Sequence, residues 1–216
     1  MPAADAERAE TTEALLDLGT ATLGESGARA MRSRIAPAWR GARIAAPAFP
    51  VRCTSADNLA IHVGVTRAPA GSALVVELGD VRELGYWGEV LTTAAQARGI
   101  SGLVIDGGVR DTEALEAHGF PVFAALVALR GASKIRAGAT GVPIRCGGVA
   151  VEPGDWVVGD GDGVVVVPGA QLDTVLTAGQ ARAAKEVTIF RALWEGRTTI
   201  ELLGLDPSSI QEGGPA

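Results

Sequence analysis

Cysteine is almost missing from this 216-residue chain: Cys53 and Cys146 stand apart, without CxxC spacing. That excludes a disulfide-stapled scaffold, and two buried free thiols in a reducing compartment are expected. Although 47% of the residues are hydrophobic, no uninterrupted apolar run reaches the roughly 18 residues of a membrane span. No Lys/Arg cluster occurs and the net charge is −6, which argues against a nucleic-acid partner. There is no GxGxxG and no phosphate-loop lysine, which argues against nucleotide binding. The first residues, MPAADAERAETTEALLDLG, are acidic and lack a basic segment followed by an apolar one. A cytoplasmic location without membrane association is therefore expected.

Glycine is abundant instead, with 29 residues spread between apolar runs, the pattern of many tight turns rather than of disorder. The segment from Ala6 to Leu23 reads as a helix. Pro47 and Pro50 in RIAAPAFPVRCTS suggest extended chain with an edge or a bend. Asp57-Asn58 can cap a short helix, NLAIHVGV, and Ala73–Leu78 is a strand candidate. YWGEVLTTAAQARGI has the helical period and a glycine stop. Phe120–Ala124 is a short strand, and residues 130–142 are a loop. IRCGGVAVEPGDWVVGDGDGVVVVPG alternates apolar runs with turns and reads as short strands. Its DGDG lacks the downstream glutamate of a calcium loop and is a hairpin turn. Gln171–Trp194 returns to helix, and Thr198–Leu203 adds a turn or two. With no repeat and no long linker, the chain is one α/β domain. It divides into a helical segment (1–30), a main body (31–205) and a frayed tail (206–216).

The stretch SGLVIDGGVRDTEAL, from Ser101 to Leu115, carries the chemistry. An apolar run meets a Gly-Gly turn, and Arg110 and Asp111 then stand at the mouth of a helix. A cation and a carboxylate are thus fixed side by side at a strand-to-helix corner. Taken alone, Asp111 is a helix cap and Arg110 a surface or salt-bridging arginine. Glu89 in a first helical turn complements the dipole, and Glu186 is an exposed helix glutamate. His62 reads as a satisfied core or interface histidine and His118 as a C-terminal helix cap. Lys134 is either a solvated loop lysine or a contact for a distal substrate carboxylate.

YWGEVLTTAAQARGISGLVIDGGVRD, FPVFAALVALRGASK and VAVEPGDWVVGDGDGVVVVP resemble the family of ribonuclease E activity regulator A-like proteins. That family includes class II pyruvate aldolases acting on 4-hydroxy-4-methyl-2-oxoglutarate and 4-carboxy-4-hydroxy-2-oxoadipate. The likeness runs from about residue 40 to 205. It implies an α-β-β-α sandwich with a central β-barrel-like core, assembled as a homotrimer or hexamer with sites between subunits. It also implies a Mg²⁺- or Mn²⁺-dependent lyase. Asp111 falls on the direct metal ligand, and Arg110 on the clamp for the pyruvoyl group and its enolate. Glu89 falls where many of these aldolases have aspartate, one methylene shorter. The backbone amides of Gly88, Glu89, Val90 and Leu91 fall on the site for the substrate carboxylate. Glu186 corresponds to a neighbouring subunit's glutamate that completes the metal's water shell.

The chemistry agrees with the resemblance. Mg²⁺ takes oxygen ligands and keeps several waters, so one direct carboxylate with water-mediated acids is a reasonable site. A metal-chelated 2-oxo acid can pass through an enolate in retro-aldol cleavage or in decarboxylation. Arg110 suits the same charge. The expected activity cleaves a 4-hydroxy-2-oxo di- or tricarboxylic acid to pyruvate and a second 2-oxo acid, with oxaloacetate decarboxylation on the side. The alternative is a non-catalytic inhibitor of an RNase E-type endonuclease.

Overall fold

The computed structural model describes residues 3–80 and 82–211. The chain enters through a long helix, α1 (Ala3–Gly24), interrupted at Gly19, whose φ of 72° and ψ of 167° leave the helical region. Two short strands, β1 (Arg29–Ala30) and β2 (Ala36–Pro37), precede β3 (Ile44–Arg52). The middle alternates: α2 (Leu59–Arg67), β4 (Ala73–Glu77), β5 (Gly85–Trp87), α3 (Glu89–Gln96), β6 (Gly102–Val109), α4 (Thr112–Ala117) and β7 (Val122–Val127). Five strands follow: β8 (Ala139–Thr140), β9 (Ile144–Cys146), β10 (Val149–Val151), β11 (Trp156–Asp160) and β12 (Gly163–Val167). A 3-10 turn (Gly169–Gln171) then leads to α5 (Leu172–Trp194) and α6 (Thr199–Leu203). The expected frayed tail ends in residues 212–216, outside the described residues.

One sheet runs in the order β1-β12-β11-β3-β4-β6-β7-β2, with β5 on β6 and β8 on β3; β9 and β10 form a separate hairpin. Its two ends curl toward each other, β2 coming against β12. Three apolar clusters follow from that curl. One lies between α2–α4 and the parallel strands, around Ile61, Leu74, Trp87 and Leu103. A second fills the inside of the curl, around Ile35, Val75, Phe123 and Val157. The third lies under α1 and α5, around Leu15, Leu23, Val165 and Val175. Helices on both outer faces of a curled sheet make the α-β-β-α sandwich anticipated above, in one α/β domain.

Three local expectations change. Pro47 and Pro50 do not mark an edge. β3 pairs antiparallel with β11 over Ile44–Pro47 and parallel with β4 from Ala48 on, so the prolines lie where the strand exchanges partners. Tyr86 and Trp87 are strand, not helix; α3 starts only after the extended Gly88. Gly107 and Gly108 are not a turn but the continuation of β6. A Cβ at Gly107 would run into Leu78, and one at Gly108 would lie 2.5 Å from the Leu84 carbonyl oxygen. Glycine is there to let Leu78 and Leu84 lie on the strand.

The DGDG segment is the expected hairpin turn, with Asp160 opposite Gly163. Before it, the Pro-Gly-Asp turn is locked by Asp155. Its carboxylate accepts the N–H groups of Glu152 and Gly169, each at 3.0 Å, and pairs with Arg29 at 3.1 Å.

Candidate active site

Parallel strands β5 and β6 lie side by side, Gly85 opposite Gly108 and Trp87 opposite Val109, and each delivers a helix at its C-terminal end. Trp87 anchors this corner. It is fully buried, stacks on Phe120 with ring centroids 5.9 Å apart, and donates its indole N–H to Thr92 Oγ1 on α3. Its carbonyl accepts the Arg110 N–H at 2.9 Å. Asp111 occupies the N-cap position of α4 in the left-handed region, φ 58°, ψ 36°, yet its carboxylate makes no cap bond. Instead Oδ2 accepts the N–H of Glu89, the first residue of α3, at 3.1 Å. The capping role expected of this side chain is not used. A strained backbone with an undedicated carboxylate is the pattern of a functional position.

The Arg110 side chain runs across three glycines. A Cβ at Gly85 would stand 3.1 Å from Arg110 Cδ, one at Gly88 3.0 Å from its Cγ, and one at Gly131 3.5 Å from Nη1. The guanidinium lies beside Asp111, with Nε 3.7 Å from Oδ2. Both contacts of the carboxylate fall on Oδ2.

A pocket of about 160 Å³ opens at this corner. Of the residues singled out in the sequence, Gly88, Val90, Leu91, Arg110, Asp111 and Lys134 line it. A helix leaves its first N–H groups without internal partners. Since Asp111 takes that of Glu89, those of Val90 and Leu91 remain for an anion. The side chain of Glu89 does not line the pocket; its Oε1 lies 3.3 Å from His118 Nε2. His118 does close α4 as expected, and its ring also meets Gln96 Oε1 at 3.0 Å. Glu186 belongs to α5, which packs on α1, and its carboxylate is held by Arg182 at 3.0 Å. Within one chain it is not part of the pocket. A larger groove of about 660 Å³ runs along α1 past Arg8, Thr12 and Arg43 and contains none of the expected site residues.

Two further residues line the pocket, Asn58 and His62, which in the sequence read as part of a helix cap and as a satisfied core or interface histidine. Asn58 is 4% exposed, donates its amide N–H to the Tyr86 carbonyl at 2.8 Å, and keeps Oδ1 buried without a partner. His62, one helical turn later, keeps Nε2 buried without a partner. Each such atom costs about 1–3 kcal/mol, so neither is a satisfied core group. Burial, helped by the charge of Lys134 and opposed by that of Asp57, pushes the His62 imidazole below its ordinary pKa. It is therefore neutral at neutral pH. The signal available in the sequence was the i, i+4 spacing of two polar residues on an otherwise apolar helix.

Asp57 beside them has a different task. Its carboxylate accepts from Ser133 Oγ and the N–H groups of Ile135, Leu59 and Arg136. Burial opposes its charge, but these bonds prevail and hold its pKa at about 2. It latches the 131–136 loop, with Lys134, to α2.

Among the described residues no three His, Cys, Asp or Glu side chains come together as a ready metal cage. The donor set does fit a hard cation that keeps its waters: one accessible carboxylate, Asp111, next to space for a chelating 2-oxo acid. No helix among the described residues is long and apolar enough to cross a membrane.

Known proteins resemble this chain in sequence and in fold. A family model described as Aldolase/RraA, of RraA-like proteins, matches residues 9–166. A protein of Halalkalibacterium halodurans named "putative 4-hydroxy-4-methyl-2-oxoglutarate aldolase" is 34% identical over 163 residues, 76% of this chain and 78% of that one. The crystal structure of an uncharacterized protein from Pseudomonas syringae pv. tomato superposes with a TM-score of 0.76 at 29% identity, covering 88% of this chain and 92% of that one. Streptomyces coelicolor RraAS2, an unusual member of the RNase ES inhibitor RraA family, superposes with a TM-score of 0.71 at 26% identity. That match covers 84% of this chain and 98% of the other.

Proposed function

The chain belongs to the Aldolase/RraA family, and on that premise we propose that it is a divalent-metal-dependent carbon–carbon lyase. Its substrate is a 4-hydroxy-2-oxo di- or tricarboxylic acid, cleaved to pyruvate and a second 2-oxo acid, with oxaloacetate decarboxylation as a side activity. The observation that supports this most is Asp111: a left-handed N-cap residue whose carboxylate leaves its own helix uncapped and lies beside Arg110 in the pocket.

Asp111 would hold Mg²⁺ or Mn²⁺, which when bound supplies Lewis-acid stabilisation of an enolate. The N–H groups of Val90 and Leu91 receive the substrate carboxylate at the positive end of α3. Arg110, held across its glycines, faces the enolate oxygen as a permanent planar cation. Lys134 receives a distal carboxylate. Glu186 would hold water at the site from a second copy, and Glu89 steadies Asp111 through its backbone N–H. Self-assembly as a trimer or hexamer is supported by two unpartnered apolar surfaces on one chain. Val90, Val127, Leu129 and Ile135 are exposed around the pocket and its flanking loop, and Val187, Phe190 and Trp194 are exposed on α5.

The test is pyruvate release from such a substrate with Mg²⁺ or Mn²⁺, abolished by EDTA. Release that survives Asp111→Ala unchanged removes the metal role. Mixing inactive Asp111→Ala with inactive Glu186→Ala protein should restore part of the activity through shared sites; no restoration removes the inter-subunit glutamate. The RraAS2 likeness supports a second reading, a non-catalytic inhibitor of an RNase E-type endonuclease. It is favoured if the chain binds that nuclease and releases no pyruvate.

A further inference from the structure

Glu89 carries its carboxylate at a contested place. It is the first residue of α3, and its neighbours Gly88, Val90 and Leu91 line the pocket. Two attractions are close at hand. One is the pair of N–H groups of Val90 and Leu91, at the positive end of the helix. The other is Arg110, whose Nε would lie 3.3 Å from a Cβ on Gly88, the residue before Glu89. An anionic ligand needs these same groups. The Glu89 side chain is 56% exposed, so packing does not keep it from swinging toward them. Yet it stays outside the pocket, against His118.

The surroundings of His118 suit that hold. Gln96, about two turns beyond Glu89 on the same helix, fixes the imidazole at two points. Its amide N–H donates to the His118 carbonyl at 3.0 Å, and its oxygen meets Nδ1 at 3.0 Å. An amide oxygen only accepts, so Nδ1 carries a proton. Nε2 is then the atom turned to Glu89, 3.3 Å from Oε1. With a proton there as well, the ring is an imidazolium facing a carboxylate.

We infer that His118, steadied by Gln96, is a positioning residue that holds the Glu89 carboxylate away from the groups an anionic ligand must reach. A freed Glu89 takes the N–H groups of α3 or Arg110 for itself and competes with the ligand. The held one leaves both open. This rests on the reading of the pocket as the site of a 2-oxo acid. It concerns affinity rather than the chemical step, because His118 does not line the pocket.

The test is a double-substitution cycle with pyruvate as the probe, at about pH 6, below the ordinary imidazole pKa of about 6.5. In calorimetry with Mg²⁺, His118→Ala should weaken pyruvate binding about two- to fivefold, the range an exposed ion pair can set. Gln96→Ala should act in the same direction by less. Glu89→Gln should bind pyruvate at least as tightly as the unsubstituted protein, and adding His118→Ala to it should bring no further loss. Damage to α4 would persist without the carboxylate, so that last result separates positioning from a merely structural role. In turnover the same shift should appear in KM, with kcat nearly constant. Unchanged affinity in His118→Ala, or a loss that persists in the double variant, overturns the inference and leaves the lyase reading standing. The expected binding pattern without cleavage of any 4-hydroxy-2-oxo acid supports the inference and counts against the lyase. No pyruvate binding by the unsubstituted protein overturns both.

Discussion

Asp155 and Asp111 are both turn aspartates, and they have opposite surroundings. Asp155 is buried, with both oxygens engaged by two backbone N–H groups and an arginine. Asp111 is 42% exposed at its side chain, sits on left-handed backbone, and offers one oxygen to a single N–H of another helix. A saturated carboxylate builds the fold; an unsaturated one on strained backbone is kept for something else. The same contrast divides Asp57, fully bonded, from its neighbour Asn58, whose acceptor is left over.

The sharpest way to break that contrast is to neutralise both aspartates in turn. Asp111→Asn should lower kcat/KM for pyruvate release by about 10³-fold and change unfolding stability by less than about 0.5 kcal/mol. Asp155→Asn should do the reverse, costing about 2–3 kcal/mol in urea unfolding with activity per folded molecule retained. A stability loss in the first variant equal to that in the second would erase the distinction.

Gly88→Ala comes next. Its backbone is extended, so any residue can adopt it, but the new methyl group would collide with Asp111 Oδ2 and crowd Arg110. Steady-state kinetics should show a loss of about 10–50-fold, chiefly in kcat, and full activity would mean that the two side chains need no fixed relation.

The smallest effect concerns the latch. The Asp57 pKa is depressed to about 2 in the fold, against about 3.9 unfolded. Its contribution to stability is therefore complete above about pH 4 and is lost as pH falls toward 2. Hydrogen exchange of Ile135 and Arg136 should accelerate across that window and not between pH 8 and 5. Asp57→Asn should flatten the response.

The Arg110-Asp111 pair, β4, α5 and the DGDG hairpin were legible because each rests on local pattern: an apolar run, a helical period, a turn dipeptide. Gly107-Gly108 was not, since glycine looks alike in a turn and in a strand pressed by another loop; only Leu78 and Leu84 decide between them. Tyr86 and Trp87 extended the apolar period of α3 backward, and the helix start was hidden because Gly88 carries no capping side chain. Asn58 and His62 were hidden for a further reason. Spacing places them on one face, but whether their polar atoms find partners depends on Tyr86 and on a loop more than seventy residues away in the chain (Asp57 to Ser133).

The exchange of partners within β3 has a consequence for how the molecule comes into being. On a ribosome, Ala48 meets Ala73 of β4 early, whereas Pro47 must wait for Trp156 of β11. The parallel half, which carries the pocket, can therefore pair strand by strand as it emerges, while the N-terminal half of β3 stays an open edge until most of the chain is made. A strand left unpaired for that long is a template for aggregation, and proline at 47 withholds a donor on which a wrong partner would grow.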